Sequence, residues 1–199
     1  LEFRRVLFRS KNQGRGDFTD QTAALGLTTS PWELLTDLNE GRAHSTAWSA
    51  AACDLNQDGA PELLAASYGR APNHLWLASG QGESLSYQNH SVASGYAFDE
   101  DVSWADNQFA RCHCQSTPSA EGCEGVPAPL INCASPNWRH NNDREPFRLG
   151  GNSGATVCED LDGDGDLDLY TTEIKHWWAG EGSDERSEEH TSELQSQFR

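Results

Sequence analysis

The chain has 199 residues, with 14 Lys and Arg against 31 Asp and Glu for a formal net charge of −17, and it contains no methionine. So strong an acidic excess argues against nucleic acid as a partner, because a phosphate backbone is held by Lys and Arg that displace its counterions. It suits cation binding or simple solubility, and no apolar run approaches the ~20 residues that cross a bilayer as a helix.

The two ends differ from the rest. Residues 1–10 (LEFRRVLFRS) and 186–195 (RSEEHTSELQ) can be written as one DNA segment translated from opposite strands. Leu1 as CTG mirrors Gln195 as CAG, Glu2 as GAG mirrors Leu194 as CTC, and the other eight pairs fit in the same way. They look like translated sequencing adapter, so 1–10 and 186–199 are read as non-native and set aside as a tag would be. The native part is then expected to be a fragment, roughly Lys11 to Glu185. Removing +2 at the first end and −1 at the second leaves −18 for it.

In chain order, "NQGRGDFTDQTAALGL" (12–27) has a G-x-G step before an aromatic. Its Arg15-Gly16-Asp17 is read as turn chemistry, not as an adhesion ligand. Pro31–Leu38 has the pattern of a short helix. Ala47–Cys53, Leu63–Tyr68 and His74–Ala78 are strand candidates bounded by Gly, Asp and Asn. "NHLWLASGQGESLSYQNHSVASG" (73–95) echoes 12–27 in its G-x-G step and its closing Gly. Residues 99–150 are polar, rich in proline and cysteine and poor in aliphatics, which predicts an irregular insertion tied by disulfides. Ala155–Cys158 and Leu167–Thr172 are the last strand candidates.

"STAWSAAACDLNQDGAPELLAASYG" (45–69) and "NSGATVCEDLDGDGDLDLYTTEI" (152–174) repeat one another. Each has small residues, a cysteine, an acidic loop D-x-[DN]-x-D-G-x-x-[DE] and a short β-prone run. Repetition of this kind points to units that do not bury a core alone. In the second loop Asp160, Asp162 and Asp164 stand at positions 1, 3 and 5, with Gly165 at 6, the Asp166 carbonyl at 7 and Asp168 at 9. In the first, Asp54, Asn56, Asp58, Gly59, the Ala60 carbonyl and Glu62 take the same places. Alternating oxygens on a loop that turns at glycine suit a hard divalent cation with six to eight oxygen ligands, which makes Ca²⁺ the expected cofactor. An EF-hand is excluded, because its position 12 needs a bidentate Glu, and those positions here are Ala65 and Thr171.

These loops, each followed by a strand, resemble the FG-GAP/VCBS repeat of integrin-like β-propellers. "NQGRGDFTDQT" is similar to the N-x-G-[DN]-G-x-F-x-D-x-T segment of bacterial members. The resemblance covers 12–27, 45–95 and 150–175. It implies an all-β fold, a partial β-propeller whose blades each carry calcium on an outward loop. The expected organisation is repeats over 11–98, a cysteine-rich irregular insertion over 99–150 and a truncated repeat over 151–185. A propeller needs ~4–8 blades, so this length supplies part of one.

Six cysteines, Cys53, Cys112, Cys114, Cys123, Cys133 and Cys158, favour disulfides and an extracytoplasmic, secreted or cell-surface setting. Cys112, His113, Cys114 and His140 as a zinc site is the competing reading. Cys53 and Cys158 precede the two acidic loops at similar places, so a bond between neighbouring blades is one pairing. His176-Trp177-Trp178 with Trp104 and Trp138 are weighed as a sugar-stacking surface against ordinary packing. Asp99, Asp101 and Ser103 would be a degenerate metal loop without its glycine. No serine elbow, nucleophilic-cysteine context or H-E-x-x-H is present, so the fragment is read as non-enzymatic. Its expected role is structural, adhesive, or binding of a protein or glycan. The alternative is an accessory propeller of a larger secreted enzyme.

Overall fold

The computed structural model describes residues 9–31, 37, 41–68, 71–98, 107–120, 122–134 and 153–173. Strands β1 (Ser10–Asn12) and β2 (Phe18–Asp20) form a small antiparallel hairpin. Strands β3 (Thr46–Cys53), β4 (Glu62–Tyr68), β5 (His74–Ser79) and β6 (Ser86–Asn89) follow as a four-stranded antiparallel meander. Strands β7 (Ser153–Glu159) and β8 (Asp168–Glu173) form a second long hairpin that packs on β3 and β4. The five strands expected from sequence are present; β1, β2 and β6 are too short to show a period.

The insertion departs from its reading as irregular. It holds a helix, α1 (Gln108–Ser116). The segment 107–116 contains no Gly or Pro, and the Asn107 side chain caps it by accepting from the Ala110 N–H at 3.3 Å. Disulfides Cys112–Cys133 and Cys114–Cys123 tie this helix to the loops after it, and Cys53–Cys158 joins β3 to β7. No cysteine is free, so the zinc reading of Cys112 and Cys114 is excluded. Three disulfides suit an oxidising environment outside the cytoplasm. No described helix is long and apolar enough to cross a membrane. The expected helix at Pro31–Leu38 lies outside the described residues apart from Pro31 and Asp37. So do Asp99, Asp101, Ser103, Trp104, Trp138, His140 and the aromatic run 176–178.

The internal repeat is carried into hydrogen bonding, residue for residue. Shifting the β3–β4 register by 106 residues reproduces that of β7–β8. Ala47↔Ser67 becomes Ser153↔Glu173, and Cys53↔Glu62 becomes Glu159↔Asp168, with a bulge at the same place in each hairpin. A second repeat runs at a shift of 69. The Asp20 carboxylate accepts from the N–H and hydroxyl of Thr22 at 2.9 and 2.6 Å, and the Asn89 side-chain oxygen does the same for Ser91 at 3.0 and 2.7 Å. The turns after them close alike, through Gly26 N–H to Ala23 O and Gly95 N–H to Val92 O.

Although the registers match, the burial is opposite in phase. Along β3, residues 47, 49, 51 and 53 are the more buried ones and 46, 48, 50 and 52 are exposed. Along β7 the twins of 49, 51 and 53, namely Ala155, Val157 and Glu159, are exposed. Thr156 and Cys158, the twins of Ala50 and Ala52, face inward instead. Because strand side chains alternate between faces, the two hairpins must stack front to back and not face to face. Their disulfide fits this: Cys53 sits at one repeat position and Cys158 one residue before its equivalent. The interface they share is a core of Cys53, Leu64, Leu75, Tyr96 and Leu169. On the other face of the meander, Leu25 and Leu27 cover Ala65, Trp76, Ala78 and Tyr87.

His74 lies inside the meander, stacked on Trp76 at 5.0 Å, with no hydrogen-bond partner for either ring nitrogen. Burial, aided by nearby His44, lowers its pKa from 6.5 to about 4. An unfolded histidine takes a proton near pH 6.5, so this contribution to stability is whole above that value and is lost as pH falls toward about 4. The loss should reach about 3 kcal/mol. Urea unfolding of the wild type and of His74→Leu between these pH values is expected to show a steeper loss for the wild type. Parallel slopes would contradict it.

Candidate metal centre

Both acidic loops link the strands of a long hairpin, β3 to β4 and β7 to β8, at the same end of the repeat. Their side chains fold the loop around itself in matched pairs. Asp54 Oδ2 accepts from Gly59 N–H at 2.9 Å, and Asp160 Oδ2 from Gly165 N–H at 3.1 Å. Asn56 and Asp162 each accept from the residue two ahead at 3.1 Å. Asp58 and Asp164 do so at 2.8 and 2.9 Å. At position 9, Glu62 Oε2 accepts from Leu55 N–H at 2.8 Å, and Asp168 Oδ2 from Leu161 N–H at 3.0 Å. Each carboxylate has about four lone-pair sites, so these bonds orient the oxygens and leave capacity for an ion.

In the second loop Asp160, Asp162 and Asp168 bring one oxygen each to within 4.8 Å of one another. Two oxygens that share an ion at ~2.4 Å can lie at most ~4.8 Å apart, so this spacing is compatible with a common Ca²⁺. Asp164 lies outside that trio, and Asp166 turns a carboxylate oxygen to a neighbouring amide. In the first loop the same three positions are Asp54, Asn56 and Glu62, two carboxylates and an amide. Glu62 is fully buried, and desolvation raises its pKa against the N–H groups of Leu55 and Ala78, which stabilise its charge. A cation beside it would favour the ionised form.

One functional contact escapes sequence reading. Gln57, in the first loop, has φ 57, a left-handed conformation that its twin Gly163 takes at φ 79 without a side chain. The strain, about 1–2 kcal/mol for a residue with a Cβ, is offset by two hydrogen bonds. Gln57 Nε2 donates to Gly165 O at 2.8 Å and to Asp166 Oδ1 at 3.2 Å, so the first loop braces the second. The only hint in the sequence is a non-glycine at a glycine position of the repeat. Gln81 braces the first loop in turn, donating to Asp58 O at 3.2 Å. Arg15 and the two glycines beside it all have positive φ in the β1–β2 turn, as the turn reading of Arg15-Gly16-Asp17 requires.

The chain matches no protein-family model, no curated protein and no solved structure.

The loop's members should separate by burial. Asp168 is buried and holds Leu161 N–H, so Asp168→Ala should cost about 1–3 kcal/mol even in chelator. Asp162 is exposed, and Asp162→Ala in chelator should cost no more than about 0.5–1 kcal/mol. Urea unfolding in chelator measures both; equal losses would refute this division.

Proposed function

We propose that this chain is a calcium-stapled module of a propeller-like repeat protein acting outside the cytoplasm, secreted or at a cell surface. Its role is structural or adhesive, and its loops are offered to a protein or glycan. The observation that carries the cation reading is the trio Asp160, Asp162 and Asp168, whose oxygens approach within 4.8 Å on a loop already shaped by backbone N–H donors. The repeat supports it. Asp54, Asn56, Asp58, the Ala60 carbonyl and Glu62 form the first site, and Asp160, Asp162, Asp164, the Asp166 carbonyl and Asp168 the second.

Calcium here acts as a staple and not as a catalyst. An ion saturated by protein oxygens has no open position for a substrate, while its binding free energy adds to folding stability. The front-to-back stacking of the hairpins, with Cys53–Cys158 across it, favours blades over a closed two-sheet sandwich.

Thermal unfolding in chelator and in millimolar Ca²⁺ tests the reading. At a hundredfold excess over Kd, binding adds about 2.7 kcal/mol, which is roughly 5–10 °C in Tm for a domain of this size. Asp160→Ala should shrink the shift. An identical Tm in both buffers would overturn the calcium role.

A further inference from the structure

Each acidic loop receives a glutamine amide from outside itself. Gln81, in the β5–β6 turn, donates to the Asp58 carbonyl of the first loop at 3.2 Å. Gln57, at position 4 of the first loop, donates to the Gly165 carbonyl of the second at 2.8 Å and to Asp166 Oδ1 at 3.2 Å. The two braces differ in origin. Gln81 comes from a turn outside both acidic loops, whereas Gln57 stands between Asn56 and Asp58, positions 3 and 5 of the other candidate cation site. Its target is equally well placed. The Gly165–Asp166 peptide is held at both ends, its C=O by Gln57 and its N–H by Asp164 Oδ1 at 2.9 Å, immediately before the Asp166 carbonyl at position 7.

We propose that the two loops take up divalent cations cooperatively, with Gln57 as the positioning residue that couples them. This coupling rests on the calcium reading above and adds a regulation to it. Once Asp54, Asn56 and Asp58 converge on an ion, the backbone that carries Gln57 is fixed between them. Gln57 then holds residues 165 and 166 in place, so the second loop has that part of its site already ordered. Less ordering entropy remains to be lost there, and binding tightens. Linkage makes the effect reciprocal, by the same factor in either direction. Two neighbouring dications repel, but the loops carry three and five carboxylates, more negative charge than two divalent ions can neutralise. The coupling runs through one residue, because the twin Gly163 takes the same left-handed backbone with no side chain to reach a neighbour.

Calorimetric titration of the metal-free full chain with Ca²⁺ tests the coupling. Asp54→Ala removes the first site, and the second loop should then bind about fivefold or more weakly than in the wild type. Asp160→Ala should weaken the first loop by the same factor. Adding Gln57→Gly, the residue of the twin position, should reduce both differences to within about twofold. Gln57→Asn suits the left-handed backbone but is shorter in reach, so it should act alike, while Gln81→Ala should leave the coupling intact. Circular dichroism verifies folding, and Asn56→Ala replaces Asp54→Ala if that variant fails to fold. A wild type that binds no Ca²⁺ overturns the calcium reading and the coupling with it. Ca²⁺ binding with no loss in the single-site variants, or a loss that survives Gln57→Gly, overturns the coupling alone.

Discussion

The structure depends on the way one β-hairpin lies on another. β3–β4 and β7–β8 share a register at a shift of 106 residues, yet their buried faces are opposite. Two identical amphipathic hairpins related by a twofold axis would bury the same face. Stacked front to back, they bury different ones. Apart from Trp48, β3 is built of small residues, Thr, Ala, Ser and Cys, which suit this use. Alanine on both faces lets sheets approach without committing either to solvent. The cost of that arrangement is thin burial per hairpin, which a covalent bond at the interface offsets: a disulfide closing ~100 residues contributes about 4.7 kcal/mol in the chain-entropy model.

The acidic loops follow from the same geometry. Each closes the end of a stacked hairpin, and stacking places the two loops side by side, near enough for Gln57 to reach Gly165 and Asp166. A dense row of carboxylates is tolerable there because loop N–H groups hold them, and a divalent ion would neutralise what remains. The brace and the disulfide thus act on one junction between repeats, both at its loop end, and a cation held by the loops would act there too.

Much of this was legible in the sequence, for physical reasons that differ by element. The acidic loops announced themselves because ligand spacing is a local property, and their shared register showed in Asp54 and Asp160 alone. The long strands showed because they are bounded by Gly, Asp and Asn. β1 and β6 did not, since a run of three or four residues is too short to carry a usable period. Helix α1 was hidden by its surroundings: the insertion is polar and interrupted by five prolines and three glycines, while the helix occupies a stretch free of both. The inverted burial could not be read at all, because alanines are compatible with either face. The cysteines gave the single trace of it, one residue out of step with the repeat.

That offset makes the pairing of Cys53 the most direct test of the account. Peptide mapping of the unreduced protein by mass spectrometry should recover Cys53 linked to Cys158, with Cys112–Cys133 and Cys114–Cys123 as separate species. Cys53 linked to any cysteine of the insertion would contradict the front-to-back stack on which the rest is built.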